Sequence, residues 1–278
     1  MPYYVWPEYH LPLLFHRSLQ PRAVPGGLGV EIRYWPFLYQ KFVGDAVPAD
    51  DSSPHNRWYL SVRSWQPITR QEPPAGWYRA LFRIATSKYA VSFSRVEQGQ
   101  DYRAQWSKVA RYDQRKFASM VAEGKLAVET LTWEEFERAY RGSTVARKMG
   151  RLYLRPIAHR LKTAPATAEH MRIFGVRNKM SGNEVVAGML VFDSPTFKSS
   201  FYYAGFYHTK ARAFPAMVGL MDHWFATSQS AGLHTLQFGN SWIPGNPSDW
   251  KGFSQFKTKF GVNIVSLPEK LYQVRFRF

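Results

Sequence analysis

The chain has 278 residues, of which 45% are apolar and 17% aromatic, so it is long enough and apolar enough to fold around a sizeable core. It contains no cysteine, which excludes a disulfide framework, a thiolate nucleophile and any cysteine-ligated metal site. Lysine and arginine outnumber aspartate and glutamate by 37 to 20, and the resulting charge of +17 predicts an anionic partner such as a nucleic acid, an anionic lipid or a phosphate-rich substrate.

No uncharged apolar run of about 18 residues is present, so we expect no transmembrane segment. The N-terminal sequence MPYYVWPEYH lacks the basic start and the apolar stretch of a signal peptide. Both features favour a cytoplasmic location.

Residues 1–100 differ in composition from the rest of the chain. They hold eleven of the 18 prolines and five of the ten tryptophans, and turn signals such as Pro25-Gly26-Gly27 separate short aromatic segments such as 57–63. We therefore predict a divergent N-terminal region at 1–100, rich in proline and aromatic residues, and a second domain at 101–278.

From residue 101 the apolar spacing becomes that of helices and longer strands. Thr132 with Glu135 three residues later is typical of a capping box, in which each residue satisfies a free backbone N–H at the start of a helix. The predicted elements, in chain order, are a helix at 106–124, a strand at 125–131, a helix from Thr132 to about Gly142 or Gly150, a helix after Pro156, a hairpin of 171–177 and 185–192, a strand at 199–207, a helix at 214–231, a strand at 233–239, a helix at 250–260 and a strand at 271–278.

The segment from 199 to 239 reads as strand, helix and strand. A connection of this length is the usual crossover between two parallel neighbours, so the strands at 199–207 and 233–239 are predicted to be parallel. The whole order predicts an α/β fold with a mixed sheet.

Common catalytic signatures are missing: the chain has no GxSxG elbow, no Walker loop and no HExxH, and its eight histidines show no metal-ligand spacing. We therefore expect no metal and no permanently bound cofactor. Basic clusters are the stronger signal. Lys108, Arg111 and Arg115 share one helix face and Arg147 and Arg151 repeat the pattern, which indicates either phosphate binding or a solvated face.

The carboxyl ends of neighbouring parallel strands are where α/β sheets usually bind ligands. Here that crevice is bordered by 205–212 and 238–245. Tyr203 and Tyr207 are close to it in sequence, and they are expected either to line it or to pack in the core. Lys257 lies one step off the apolar stripe of the 250–260 helix, which predicts a rim or snorkelling position.

The sequence Phe256-Lys257-x-x-Phe260-Gly261, preceded by a strand that ends Gln237-Phe238-Gly239, resembles the C-terminal module of the Fem family. The basic helix with Arg111 and Arg115 and the following 134–150 segment also look like that module, and the resemblance covers about residues 101–278. Fem proteins are aminoacyl-tRNA-dependent peptidyltransferases with a GNAT fold.

This resemblance implies an activated acyl donor, aminoacyl-tRNA, and an amine on a peptide or cell-wall-like acceptor. It maps the family's lysine, which stabilises charge at the transferred ester, onto Lys257 and a strand tyrosine onto Tyr203. A substrate arginine maps onto Arg147 or Arg151. Further candidate substrate-binding residues are Phe256, Tyr207, Arg111, Arg115 and Arg212. Residues 1–100 are shorter than a full first Fem module, which suggests a truncated one.

Two alternatives stay open at this stage. An acyl-CoA-dependent GNAT enzyme would act on a small amine, but such enzymes use a glycine-rich phosphate loop, and the corresponding stretch 209–215 has no glycine. A non-catalytic RNA-binding module on a GNAT scaffold would use Trp58, Trp65 and Trp77 as stacking platforms, unless these tryptophans belong to the core.

Overall fold

The computed structural model describes residues 22–24, 27–34, 37–44, 46–47, 59–67, 72–79, 89–149, 154, 157–158, 161–162, 165–195, 198–246, 248 and 250–277. The chain divides into two compact units. The first consists of 1–91, 240–252 and 264–278, and the second of 92–239 and 253–263. The sequence-based boundary near residue 100 stays a prediction.

The described elements begin with five strands, and helices and strands are interspersed after residue 101. The strands are β1 (Arg22–Val24), β2 (Gly27–Tyr34), β3 (Phe37–Gly44), β4 (Tyr59–Gln66), β5 (Tyr89–Arg95), β6 (Leu126–Thr130), β7 (Met171–Asn178), β8 (Glu184–Ser194), β9 (Ser199–Tyr207), β10 (Thr235–Ser241), β11 (Asn263–Leu267) and β12 (Leu271–Arg277). The α-helices are α1 (Lys108–Ala122), α2 (Trp133–Arg141), α3 (Thr144–Met149), α4 (Ala216–Ser230) and α5 (Trp250–Thr258), and short 3-10 helices cover Tyr102–Gln105, Pro165–His170 and Thr209–Ala213.

The first unit is built on a five-stranded sheet with the order β1-β2-β3-β4-β12. In it β3 and β4 are parallel, whereas β12 pairs antiparallel with β4. Trp65 and Trp77 meet edge to face with ring centroids 5.6 Å apart, and both are buried. These two tryptophans are therefore core residues rather than stacking platforms, and Trp58 lies outside the described residues.

The second unit carries strands in the order β5-β10-β9-β8-β7-β6. Strands β6 to β9 are antiparallel, and β9 and β10 are parallel. The α/β fold class with a mixed sheet is thus confirmed, and so is the parallel pair that the crossover predicts.

Helices cover both faces of this sheet. On one face α1 lies against α4, and a methyl group at Gly219 of α4 would come within 2.3 Å of the Phe117 ring. On the other face Phe136 of α2 packs edge-on against Phe206 of β9 at 5.3 Å. The core between α1, α4 and the sheet includes Trp224, which is fully buried.

Polar side chains form hydrogen bonds at the start of β9, where this strand pairs with β10. The Trp224 indole N–H donates to the Ser200 hydroxyl at 2.8 Å. The Arg172 guanidinium on β7 donates to Asp193 of β8 and to Ser228 of α4, both at 2.8 Å. Buried polar groups of this kind are stable only when they are hydrogen-bonded, so these bonds fix the strands at this end of the sheet.

The sequence-based elements of the second unit agree with the structure within a few residues. The capping box is present, because Glu135 N–H donates to the Thr132 hydroxyl and Thr132 N–H donates to the Glu135 carboxylate. The second predicted helix ends at Arg141, and a separate short helix runs to Met149. The helix predicted after Pro156 falls largely outside the described residues.

Candidate active site

The two parallel strands of the second unit separate after three paired positions. Ladder partners are Thr235 with Ser199, Leu236 with Ser200 and Gln237 with Phe201. Both strands continue beyond that point, β9 to Tyr207 and β10 to Ser241. An opening therefore begins beside Phe201 at the carboxyl ends of the two strands, where α/β sheets bind their ligands.

A β-bulge lies on β9 at the start of this opening. The β8–β9 register shifts because Val191 pairs with Tyr202 and Leu190 with Ala204, so Tyr203 is the extra residue of β9. Such bulges bend a strand and re-aim its side chains, and they are common next to active sites. The Tyr203 ring is nearly buried and packs edge-on against Phe192 at 5.7 Å.

Gly205 allows the side chain of Tyr202 to fold back along the strand. A methyl group at residue 205 would lie 2.3 Å from the Tyr202 hydroxyl oxygen, so only glycine fits there without a shift of the tyrosine. Neither the bulge nor this contact was predicted. The available signal is the isolated glycine within an aromatic strand, which is typical of a bulge or of a close approach.

Beyond the bulge, one side of β9 is no longer paired with β10 in the ladder. Successive N–H groups of a strand point to alternate sides, and the ladder with β10 has ended after Phe201. Beyond the bulge, every second amide between Ala204 and Tyr207 is therefore on the side of β9 where the ladder with β10 has ended. These groups are suited to donate hydrogen bonds to a carbonyl oxygen that develops negative charge.

Lys257 lies on α5, one turn before Phe260. The Phe260 ring stacks on Phe238 with ring centroids 6.2 Å apart, and Phe238 is the first β10 residue beyond the ladder. The lysine is only 7% exposed, so it is more deeply buried than the rim or snorkelling position that the spacing predicts.

Burial changes the acidity of this lysine. Desolvation disfavours the ammonium form and lowers the pKa of Lys257 to about 7. The Nζ atom lies 4.7 Å from the ring centre of Phe253, which favours the charged form through a cation–π interaction. Near neutral pH both the ammonium and the free amine are thus populated.

Gly261, which follows α5, occupies a position that favours glycine. Gly261 has φ +65°, and a methyl group there would lie 2.8 Å from the Gln105 carbonyl oxygen. The Ser107 N–H, at the N-terminal cap of α1, donates to the Lys259 carbonyl at 2.9 Å. The start of the basic helix α1 is therefore joined to the end of the helix that carries Lys257.

The other predicted site residues are placed as follows. Phe256 is half-buried and packs on Phe260 at 5.1 Å, so it supports the core beside Lys257. Tyr207 is 38% exposed at the end of β9, and Arg147 is exposed on α3, which packs against β9. Arg151 lies outside the described residues. Arg212 lies in the 3-10 helix Thr209–Ala213, and its side chain is outside the described part.

Arg111 and Arg115 lie on the side of α1 turned away from α4, with Arg111 half-exposed and Arg115 exposed. Their relation to the β9–β10 opening rests on the hydrogen bond between Ser107 and Lys259 described above.

The segment between β9 and α4 contains no glycine. It forms a 3-10 helix at Thr209–Ala213, Ala211 and Ala216 are buried, and the cap of α4 is Pro215, without a side-chain hydrogen bond. A loop that grips a pyrophosphate needs backbone amides that the anion can approach closely, which glycines permit.

Within the described ranges no three His, Asp or Glu side chains are grouped so that they could hold a metal ion. None of the helices in those ranges has the length and apolar character needed to cross a membrane.

No family model and no curated protein sequence matches the chain. Among solved structures, FemX is similar over 90% of this chain and 84% of its own, with a TM-score of 0.63 and 9% sequence identity. The chain has the fold of FemX. The resemblance to the Fem family seen in the sequence is thus confirmed at the level of the fold.

Two further structures share the fold of FemX and of this chain. The C-terminal domain of a putative lysylphosphatidylglycerol synthetase from Agrobacterium fabrum has a TM-score of 0.54 at 10% identity, with 91% of this chain and 83% of that domain covered. L-PGS from Bacillus licheniformis has a TM-score of 0.51 at 14% identity, with 92% and 83% covered.

Proposed function

We propose that this protein is an acyltransferase of the Fem type, which takes an aminoacyl group from aminoacyl-tRNA and joins it to an amine of a peptide or cell-wall-like acceptor. The observation that carries the proposal is the opening between β9 and β10, with a bulge at Tyr203 and, after it, amides between Ala204 and Tyr207 on the side of β9 where the ladder with β10 has ended. The likeness to FemX supports it, as does the likeness to a synthetase named for a product that carries an aminoacyl group.

The reaction needs few side chains. The carbonyl of the aminoacyl ester enters the opening, and amides of β9 donate to its oxygen. The acceptor amine attacks the carbonyl carbon, a C–N bond forms, and the C–O bond to the ribose breaks. The ribose hydroxyl leaves with the proton that the amine gives up. Donors placed where the oxyanion forms contribute about 3 to 4 kcal/mol each in other acyl-transfer enzymes.

Lys257 can take part in two steps of this reaction. As an ammonium it adds positive charge near the oxyanion, and as a free amine it can accept the proton that the attacking amine loses. Both forms are available because the pKa of Lys257 is about 7. A general base whose pKa is close to the working pH is the most effective one. Tyr203 holds the bulge against Phe192 and so positions the amides of β9.

The donor is assigned as aminoacyl-tRNA for two reasons. The segment 208–215, which would have to hold the pyrophosphate of an acyl-CoA, lacks glycine and is partly buried. The charge of +17 suits a polyanionic donor, the affinity of which should fall steeply as salt is added.

The test compares two donors under the same conditions. Bulk tRNA charged with a mixture of radiolabelled amino acids, or radiolabelled acetyl-CoA, is incubated with the protein and with a peptide that carries a free lysine side chain. We expect label to move from the tRNA to the peptide with wild-type protein. Transfer from acetyl-CoA and none from tRNA would contradict the assigned donor.

Two lysine variants separate the role of Lys257 from general charge. Lys257→Met should lower the transfer rate by two orders of magnitude or more, because it removes both the charge and the base. Lys259→Met, two residues along the chain at a half-exposed position, should keep the wild-type rate. Equal rates in the two variants would exclude Lys257 from the reaction.

A further inference from the structure

The outward side of α1 is a continuous basic surface with an aromatic ring at its centre. Lys108, Arg115 and Lys116 are exposed, and Tyr112 between them is 61% exposed. Because residues three and four apart are neighbours on a helix, Tyr112 adjoins all three cations. Lys108 and Lys116 are eight positions apart, so the surface extends about 12 Å along the helix axis.

No ion pair of these three cations is present in the described part of the chain. The ion pairs nearest in sequence among the described residues are Arg103 with Asp222 and Lys125 with Glu123, and none of the three α1 cations takes part in one. Arg111 lies three residues after Lys108 and four before Arg115, and like charges at those spacings repel each other weakly unless an anion lies between them. An external anion therefore fits this arrangement better than any carboxylate of the described chain.

An open groove of about 560 Å³ continues the surface toward the C-terminal end of α1. Tyr112, Arg115, Lys116 and Lys125 line it, together with Glu123. The Glu123 carboxylate accepts from the Ser119 hydroxyl at 2.7 Å and pairs with Lys125 at 2.5 Å, so its charge is compensated. The groove therefore presents a net positive wall.

We propose that this α1 surface binds the RNA body of the donor, with Lys108, Arg115 and Lys116 on backbone phosphates and Tyr112 stacked on a base. The inference rests on the proposed function, because it names the partner that the same site would use. The Ser107–Lys259 hydrogen bond joins the start of α1 to the end of α5. An RNA held on α1 is thus anchored next to the helix that carries Lys257.

RNA fits this surface better than a membrane does. A helix that lies on a bilayer turns a broad apolar face to the lipid. The buried apolar residues of α1 face the inside of the protein, where Phe117 packs on Gly219, and the exposed Val109 and Val121 lie at opposite ends of the helix and form no broad apolar face. A single aromatic ring among cations is instead the pattern of nucleic-acid binding, which combines phosphate contacts with base stacking.

The test measures the binding of uncharged bulk tRNA by fluorescence anisotropy over a range of KCl concentrations. The variant Lys108→Gln/Arg115→Gln/Lys116→Gln should bind about tenfold or more weakly at 0.1 M salt, and its log–log salt slope should be smaller by about two to three, because each phosphate contact contributes about 0.7 to 0.9. Tyr112→Ala should weaken binding about tenfold and leave the slope unchanged.

The control variant Arg138→Gln/Lys162→Gln/Lys179→Gln removes the same charge from exposed positions elsewhere in the second unit. It should keep the affinity and the slope of the wild type. An equal loss in both triple variants would show that only net charge matters and would overturn the proposal. Wild-type binding by the α1 variant would overturn it too, and so would binding of the wild type to vesicles with 30% phosphatidylglycerol but not to tRNA.

A short donor separates this proposal from the proposed function. A 3′-aminoacylated CpA dinucleotide lacks the RNA body, so the α1 variant should use it at the wild-type rate while it loses most activity at low concentrations of charged tRNA. If tRNA binds through α1 but neither donor is consumed, RNA binding by the α1 surface is supported and the proposed function is refuted. If wild type and variant use both donors equally well, the proposed function is supported and RNA binding by the α1 surface is refuted.

Discussion

The burial of Lys257 predicts an unusual relation between stability and pH. Lowering the pKa from 10.5 to about 7 means that burial disfavours the ammonium form by about 5 kcal/mol. Between these two pH values the unfolded chain binds a proton that the folded chain does not. The free energy of unfolding of the wild type should therefore rise with pH by up to about 1.4 kcal/mol per pH unit from this residue alone.

Lys257→Met removes this titration and keeps a side chain of similar length. The variant should be more stable than the wild type at pH 7. The difference between their free energies of unfolding should decrease by about 3 to 4 kcal/mol between pH 7 and pH 10. Urea unfolding followed by tryptophan fluorescence at half-unit steps of pH gives both free energies. Subtracting the two free energies of unfolding removes the contributions of the titrating groups that both proteins share.

Lys259→Met, at a half-exposed position two residues along the chain, serves as the matched control for the loss of a lysine side chain. A constant difference between Lys257→Met and the wild type over the whole range would refute the reasoning, because it would mean that the Lys257 ammonium is solvated in the folded protein. A gain in stability together with a loss of transfer would identify Lys257 as a residue kept for function at a cost in stability.

The remaining predictions concern packing and the bulge. Gly219→Ala should destabilise the protein by about 1 to 3 kcal/mol in urea unfolding, because the added methyl group would lie 2.3 Å from the Phe117 ring. Gly252→Ala on α5, where the added methyl group meets open space, should leave the stability unchanged or raise it by up to about 1 kcal/mol. Equal effects of the two alanines would contradict the close fit of α1 on α4. Tyr203→Phe keeps the ring against Phe192 and should change the free energy of unfolding by less than about 1.5 kcal/mol. Tyr203→Ala should lower the transfer rate, because it disturbs the bulge. A wild-type transfer rate for Tyr203→Ala would show that the bulge has no part in the reaction.

The sequence predicts the elements of the second unit because local signals coincide there. The capping box of Thr132 and Glu135 marks the start of α2, and the apolar spacing of Met217, Leu220 and Trp224 follows the buried side of α4. The length of that helix between two strands predicts their parallel pairing. Each of these signals lies within a few residues, so no knowledge of distant contacts is required.

Features that depend on distant neighbours were not predicted. Lys257 is only 7% exposed in the folded chain, whereas its spacing along the helix predicts a rim position. The bulge at Tyr203 is a register shift between two strands, which no single-strand pattern encodes. Strand β11 was missed because all five of its residues are exposed or half-exposed, so it lacks the alternation of buried and exposed positions by which strands are predicted.

The last strand of the chain completes the sheet of the first unit. β12 pairs with β4 over seven positions, and Gln273 accepts a hydrogen bond at 2.9 Å from the buried guanidinium of Arg63. During synthesis, the edge of β4 therefore stays unpaired until β12, about two hundred residues later, has left the ribosome. A fragment cut after residue 100 would lack this partner, so the N-terminal region should aggregate when it is expressed by itself and should be rescued by a covalently supplied copy of the final strand.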